Sequence, residues 1–198
     1  MKVLLWRVSV GFAVVLTVAL AASLTERPRE RRHARRPQDI ADRLLQLAKV
    51  SAADVVYDLE CGDGTLSVTA ARTYGARTVC LDVYPRRIEA ARALARSAHV
   101  EHLITFTLQD WETVDVSPAS VIVMFKTGLW RYSAREQLTR QARPGTRIVS
   151  YARDMGSWAP TTIVRSRDDS ALLMLWVADG TVRPSPGFEC GPVLAPCR

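Results

Sequence analysis

The sequence predicts an α/β domain with a mostly parallel sheet, because short apolar runs alternate with helical patterns along most of the chain. The first run, residues 55–59, leads into a tight turn at Gly62 and Gly64 that precedes a helical segment. A second run, residues 78–81, leads into Asp82, eighteen residues after Gly64. A strand, a glycine turn and an acid after the neighbouring strand are typical of a site for a nucleotide-like cofactor.

Four helices are predicted from apolar periodicity and from residues that favour helix ends. Apolar side chains recur at helical spacing between residues 37 and 50, which predicts a covering helix before the first strand. A helix over residues 65–74 is followed by Gly75, and the next helix opens at Pro85. Ser133 has the capping-box spacing to a glutamate three residues on, which predicts the start of the fourth helix.

Seven strands are expected where mainly apolar runs are bounded by turn residues. These runs are residues 55–59, 78–81, 103–108, 120–125, 147–151, 161–165 and 171–177. The last two flank the polar residues 167–169, which fits a hairpin at the edge of a parallel sheet. The predicted fold is therefore a Rossmann-like, doubly wound, mostly parallel seven-stranded sheet with a C-terminal antiparallel hairpin.

The chain length and the local composition predict one catalytic domain with appendages. The 198 residues, 48% of them hydrophobic, can fill one core but hardly two. We divide the chain into a membrane anchor or signal segment, a basic linker, a folded domain and a proline-rich irregular tail. Their bounds are residues 1–25, 26–37, 38–180 and 181–198.

The basic charge of the chain is concentrated near its start. The formal net charge is +7, and residues 1–36 contribute eight Lys or Arg against two Glu, or +6 of that total. The remaining residues therefore carry only +1. A nucleic-acid-binding domain of this pI would carry its basic residues on a folded face, so this distribution argues against a nucleic-acid partner.

The first 25 residues have the character of a membrane-spanning helix. Residues 8–25 carry no charge, and the mostly apolar residues 8–24 would form a helix about 25 Å long. The arginines that follow place the folded domain on the cytoplasmic side of the membrane by the positive-inside rule. The sequence thus predicts a single-pass membrane protein that contacts the membrane through this helix and the basic linker. The alternative is export after cleavage of a signal peptide, because residues 19–21 have small side chains at the required places.

The four cysteines, at positions 61, 80, 190 and 197, lack the paired spacing of a zinc site, and no metal site is predicted. Cys61 and Cys80 are expected to be buried small apolar side chains. Cys190 and Cys197 could pair in an oxidising compartment or remain two thiols in the tail.

The motif at Asp58, Gly62 and Gly64 resembles the first motif of the class I S-adenosylmethionine-dependent methyltransferases, an acid followed by alternating glycines. Three segments are similar to a narrower group, the membrane-anchored protein-lysine methyltransferases of mitochondria and their bacterial relatives. These segments are residues 58–64, 143–147 and 155–160. The resemblance covers roughly residues 38–178. It implies S-adenosylmethionine as the cofactor and a lysine of a protein as the acceptor, with a membrane protein as one candidate substrate.

The resemblance also implies roles for single residues. Asp58 would serve the methionyl amine, the 60–64 loop would wrap the methionyl part, and Asp82 would hold both ribose hydroxyls. Asp110 would bind the adenine amino group with Trp111 beside the ring, although Asp110 could be a plain turn residue and Trp111 a core residue. The predicted cofactor-binding residues are Asp58, Glu60, Cys61, Gly62, Gly64, Asp82, Asp110 and Trp111. No catalytic side chain is assigned.

Glu60 departs from the motif, because it stands at the usual first glycine. A carboxylate about 4 Å from the methionyl carboxylate would oppose binding by about 4 kcal/mol at an effective dielectric constant of about 20. A positive φ at this position would cost a further 1–2 kcal/mol or so. We expect a tolerated substitution, with the side chain turned outward or toward the cofactor ammonium. The alternative is a catalytically degenerate, membrane-tethered scaffold. A second alternative, an NAD-dependent oxidoreductase, lacks its third glycine, where Ser67 stands.

The acceptor channel is expected to be dry or lined to remove a proton. A lysine at pH 7 must lose its proton before it can attack, which costs about 4.6 kcal/mol from a pKa near 10.4. Phe125, Trp130 and Trp158 are candidate walls, and each could equally be core. The Asn/Asp-Pro-Pro-Tyr sequence of several amino-group methyltransferases is absent at residues 124–127, which argues against adenine or glutamine acceptors.

Overall fold

The computed structural model describes residues 38–125, 131–152, 154–165 and 171–181. Within these ranges the strands are β1 Val55–Leu59, β2 Arg77–Asp82, β3 Ile104–Leu108, β4 Val121–Met124, β5 Arg147–Tyr151, β6 Thr162–Arg165 and β7 Leu172–Val177. The α-helices are α1 Gln38–Leu47, α2 Thr65–Tyr74, α3 Pro85–Ser97 and α4 Arg131–Gln141. Short 3-10 turns at Glu101–Leu103 and Trp111–Thr113 flank β3.

The seven strands form one mixed sheet in the order β3-β2-β1-β4-β5-β7-β6. Strands β1 to β5 are parallel, while β7 runs antiparallel to β5 and β6 antiparallel to β7. This confirms the predicted mostly parallel sheet with an antiparallel pair at its C-terminal edge. The strand order reverses between β1 and β4, and a crevice at the carboxyl ends of the strands is expected at such a reversal.

The sheet is covered on both faces, as the apolar run of β4 predicts. All four residues of β4 are buried. Val121 and Val123 join a cluster with residues of α1 and α2, while Ile122 and Met124 join another that includes Leu138 of α4. Because alternate residues of a strand point to opposite faces, these clusters are the two layers of a doubly wound fold.

The amino ends of β1 and β5 are tied together by a buried carboxylate. Arg147 forms an ion pair with Asp54, and its Nη1 donates to the carbonyl oxygen of Ala48 at 2.7 Å. Ser120 Oγ donates to Asp54 Oδ1 at 2.7 Å. Burial raises the pKa of Asp54, but the hydrogen bonds from Ser120 and Ser51 and the charge of Arg147 outweigh it, and the pKa is lowered overall. This network lies at the edge opposite the predicted site.

The predicted start of helix α4 has to be corrected, whereas the predicted hairpin turn and tail are not tested. Helix α4 already begins at Arg131, so the prediction of Ser133 as its N-cap is wrong, because an N-cap residue lies outside the helical backbone. The predicted hairpin turn at residues 167–169 lies outside the described residues, as does the tail apart from Thr181.

The predicted membrane localisation has to be corrected. The proposed anchor over residues 1–25 and the basic linker over residues 26–37 lie outside the described residues. A membrane span needs about 20 apolar residues, whereas α3, the longest helix in the described part, has 13. No helix in that part of the chain is long and apolar enough to cross a bilayer. The structure therefore does not support the single-pass localisation, and we do not retain it.

Candidate cofactor site

The predicted site residues come together at the carboxyl edge of three neighbouring strands. Asp58 lies near the end of β1, Asp82 is the last residue of β2, and Asp110 follows β3 by two residues. Parallel strands end at the same edge, so residues far apart in the chain become neighbours there. The β1, β2 and β3 side of the crevice therefore carries the predicted acids.

Asp58 is fully buried and faces α2. Ser67 Oγ donates to its Oδ2 at 3.0 Å, so the residue that replaces a third glycine is used to hold this carboxylate. In this geometry Asp58 fixes the start of α2 against β1.

The turn after β1 alternates left-handed residues, with φ of 60° at Glu60, 60° at Gly62 and 77° at Gly64. A non-glycine residue in this region costs about 1–2 kcal/mol, so Glu60 occupies a strained position that glycine would adopt freely. Two hydrogen bonds also join the turn to β2. The amide of Cys61 donates to the Leu81 carbonyl oxygen at 2.8 Å, and the amide of Gly62 donates to Asp82 Oδ2 at 3.1 Å.

Gly64 is required by the close approach of α3. A Cβ at this position would lie 2.6 Å from the Cβ of Ala91 and 2.9 Å from its Cα, which is closer than side-chain atoms pack. Asp63 precedes Gly64, the N-cap of α2, and its Oδ1 accepts from the amide and the hydroxyl of Thr65 at 3.1 and 2.7 Å. The turn therefore has a defined shape before any ligand binds.

Cys61 and Cys80 form a disulfide beneath this turn, with their Cα atoms 5.3 Å apart. Both residues are buried, as predicted, but the expectation of two separate small apolar side chains is wrong. The parallel register places Cys80 beside Asp58 in the sheet, and the turn after β1 brings Cys61 back over β2. The sequence spacing alone could not reveal this pair, because it depends on how β1 and β2 align.

Asp82 is buried and held in one orientation. Its Oδ1 accepts from the Tyr84 amide at 3.0 Å, and its Oδ2 accepts from the Gly62 amide and from Arg87 Nη1 at 3.1 and 3.4 Å. The Arg87 guanidinium also lies 4.3 Å from the ring centre of Tyr84, while its buried Nε makes no hydrogen bond. A ribose diol at this carboxylate would therefore share it with Arg87, a contact that sequence reasoning missed.

Asp110 and Trp111 both contribute to the short turn after β3. Asp110 is exposed, and its Oδ1 accepts from the Glu112 amide at 3.0 Å, so it caps the turn. Trp111 is buried in the core cluster that includes Leu138, and its carbonyl oxygen accepts from Gln137 Nε2 at 3.1 Å. In the structure, Asp110 therefore serves as a turn residue and Trp111 as a core residue, which are the two alternatives given above.

Exposed apolar side chains beside Asp82 were missed at the level of sequence. Val83, Tyr84 and Leu108 are 41%, 47% and 56% exposed, at the carboxyl ends of β2 and β3. Leu108 is the register partner of Asp82 in the sheet. The available signal was that Val83 and Tyr84 follow directly after Asp82 and that Leu108 is the last residue of β3. A flat apolar ring can pack on such side chains while a buried carboxylate accepts hydroxyls, which is the arrangement that a nucleoside needs.

The known proteins that this chain resembles are methyltransferases. The family described as the ANTKMT methyltransferase domain matches residues 58–162. A protein-lysine N-methyltransferase of Saccharolobus islandicus is 32% identical over 133 residues, which cover 67% of this chain and 83% of that protein. A ribosomal protein L11 methyltransferase of Ralstonia pickettii is 29% identical over 146 residues, which cover 69% of this chain and 46% of that protein.

A solved structure is similar over most of the described chain. It is an RNA methyltransferase of Salinibacter ruber in complex with S-adenosyl-L-homocysteine. The two chains are 35% identical with a TM-score of 0.72, and the match covers 75% of this chain and 96% of the other. The bound nucleoside in that structure agrees with the type of ligand that the geometry at Asp82 suits.

Proposed function

We propose that this chain, which belongs to the ANTKMT methyltransferase domain family and is an S-adenosylmethionine-dependent methyltransferase, transfers a methyl group to a lysine amine of a protein. The lysine acceptor is supported by the 32% identity to the protein-lysine N-methyltransferase of Saccharolobus islandicus. Family and relatives favour an active methyltransferase over the degenerate scaffold and over the NAD-dependent oxidoreductase.

The observation that carries the cofactor part of the proposal is the junction of the glycine turn with Asp82. The Gly62 amide donates to the buried carboxylate, which fixes the turn beside the side chain that would hold the ribose. The residues present fit S-adenosylmethionine: Asp82 would accept the ribose hydroxyls, and Val83 and Leu108 would pack on the adenine. The main chain of residues 60–64 would lie along the methionyl part, which left-handed turn residues allow.

S-adenosylmethionine supplies a methyl group on a sulfonium, which a neutral amine can attack without acid catalysis. The protein therefore has to hold the amine in line, and positioning of this kind can account for most of the rate. Asp82 and the apolar side chains lie on the β2 and β3 side, so the acceptor would enter from the β4 and β5 side of the reversal. Phe125 and Tyr151 lie there as stacked rings, with centroids 4.7 Å apart. An apolar wall disfavours a charged ammonium and would lower the pKa of an entering lysine.

A second acceptor class, RNA, is favoured by one specific observation, the 35% identity to the RNA methyltransferase of Salinibacter ruber. The two classes can be separated in one assay. The full chain is incubated with methyl-labelled S-adenosylmethionine and either poly-L-lysine or total RNA. We expect label in poly-L-lysine that is recovered as methyl-lysine after hydrolysis.

The matched control is Asp82→Asn, which keeps the size of the side chain but weakens its acceptor strength toward a diol. It should lose both labelling and binding of S-adenosylhomocysteine in calorimetry. Label in RNA alone would show that RNA, and not lysine, is the acceptor. Wild-type binding of S-adenosylhomocysteine without transfer to either polymer would contradict both acceptors while leaving the cofactor assignment in place.

A further inference from the structure

Helix α4 contacts segments on both sides of the site through two polar side chains. Gln137 Nε2 donates to the carbonyl oxygens of Trp111 and Val114 at 3.1 and 3.0 Å, in the segment that follows β3. Arg135 Nη1 donates to Ser157 Oγ at 2.6 Å, in the segment that follows β5. One helix therefore fastens a segment on the side of Asp82 and another on the side where an acceptor would enter.

The segment after β5 is a compact turn over residues 154–158. The Gly156 amide donates to Asp154 Oδ1 at 2.8 Å, and Met155 pairs with Trp158 in an isolated antiparallel bridge. The carbonyl oxygen of Trp158 accepts from Trp176 Nε1 at 2.7 Å, which ties the turn to β7. The turn thus has a single shape at the carboxyl edge beyond β5.

The burial of Arg135, which is only 3% exposed, costs free energy. Removing a guanidinium from water carries a large desolvation penalty that only specific hydrogen bonds offset. A hydrogen bond from Arg135 reaches Ser157, an exposed residue at the tip of the turn. The buried Arg135 guanidinium therefore contacts the turn from the protein interior, while the opposite side of the turn is exposed to solvent.

We propose that Arg135 is a positioning residue that holds the 154–158 turn as one wall of the acceptor entrance, while Gln137 positions the adenine side. This rests on the proposed function for the identity of the two sides. The physical basis is that one helix holds both segments through two different side chains. Substituting one side chain should therefore loosen one segment and leave the other in place. Acceptor binding depends on Arg135, and cofactor binding depends on Gln137.

The test compares Arg135→Met with Gln137→Met in the full chain. Arg135→Met should raise KM for poly-L-lysine about tenfold, the size expected for loss of a hydrogen bond from a charged donor. It should leave the Kd of S-adenosylhomocysteine within about twofold, since no cofactor contact is changed. Gln137→Met should raise that Kd about fivefold, because the two lost hydrogen bonds hold the segment that follows Asp110, the residue predicted at the adenine amino group, and it should leave KM for poly-L-lysine nearly unchanged.

Hydrogen exchange measured by mass spectrometry gives a readout that needs no acceptor. Arg135→Met should speed exchange at residues 154–158 and Gln137→Met at residues 111–114, each without the other. Ser157→Ala removes the same hydrogen bond from its other end and keeps the guanidinium, so it should also speed exchange at residues 154–158 even if Arg135→Met folds poorly. Arg135→Lys should restore part of the loss, because it keeps a charged donor without the planar fork.

Equal changes at both segments in either variant, or unchanged exchange at residues 154–158 in Ser157→Ala, would overturn the proposal. If exchange follows the expected pattern but wild-type protein does not methylate poly-L-lysine, the lysine acceptor fails while the positioning role of Arg135 stands. If KM for poly-L-lysine is unaffected by Arg135→Met, the turn is not a wall of the acceptor entrance.

Discussion

Removing the Cys61–Cys80 disulfide should lower the free energy of unfolding by about 3 kcal/mol in the chain-entropy relation for a loop of this length. The two residues are separated by 19 positions, which sets that loop. The cross-link lowers the entropy of the unfolded chain, so its removal lowers the free energy of unfolding even where native packing is kept. In a chain of 198 residues, a loss of this size corresponds to a Tm lowered by roughly 6–12 °C.

The assay is urea unfolding followed by circular dichroism, applied to the wild type, Cys61→Ala, Cys80→Ala and the double variant. Either single substitution removes the whole cross-link, so each should lose the full amount. The double variant should lose only about 1 kcal/mol more, for the packing of a second small side chain. Unfolding in the presence of a dithiol reductant should destabilise the wild type and leave the double variant unchanged.

The size of the single-variant losses and the effect of reductant distinguish a cross-link from two thiols. If the two cysteines were separate buried thiols, each single variant would lose only a small packing contribution, and reductant would leave the wild type unchanged. That result, together with peptide mapping that finds Cys61 and Cys80 unlinked in unreduced protein, would refute the cross-link. The double variant should also bind S-adenosylhomocysteine more weakly, because the disulfide lies directly under the glycine turn.

Three further predictions concern single positions. Gly64→Ala should destabilise by about 2–5 kcal/mol from a left-handed alanine and a steric clash, whereas Gly145→Ala, with φ of 87° and open space, should cost about 1–2 kcal/mol; equal Tm losses would contradict the close helix approach. Asp54 has a lowered pKa in the folded state, so its stabilisation is present above its unfolded value and lost as pH falls below about 4; the difference in urea midpoint between wild type and Asp54→Asn should shrink from pH 7 to pH 3 or so, and a constant difference would argue against it. Glu60→Gly should lower the Kd for S-adenosylmethionine by removing a carboxylate that would repel the methionyl carboxylate in the proposed site, and weaker binding in calorimetry would show that Glu60 contributes favourably.

The local elements could be predicted from the sequence to within a few residues. Helix α2 begins after Gly64 and ends before Gly75, α3 begins at Pro85, and β5 has the predicted bounds. The reason is that these signals act between neighbours in the chain: an apolar run, a left-handed glycine and a proline in the first turn each favour one backbone conformation. The mixed sheet followed from the order of these elements.

The contacts across the site depend instead on the register of distant segments. The disulfide, the hydrogen bond from the Gly62 amide to Asp82, and the pairing of Leu108 with Asp82 arise where β1, β2 and β3 end together. None of these contacts has a signature within a short stretch of sequence, because register is set by packing against the helices on both faces. The acids and the glycine turn were therefore determined by the sequence itself, whereas their depth of burial and their partners were decided only by the tertiary structure.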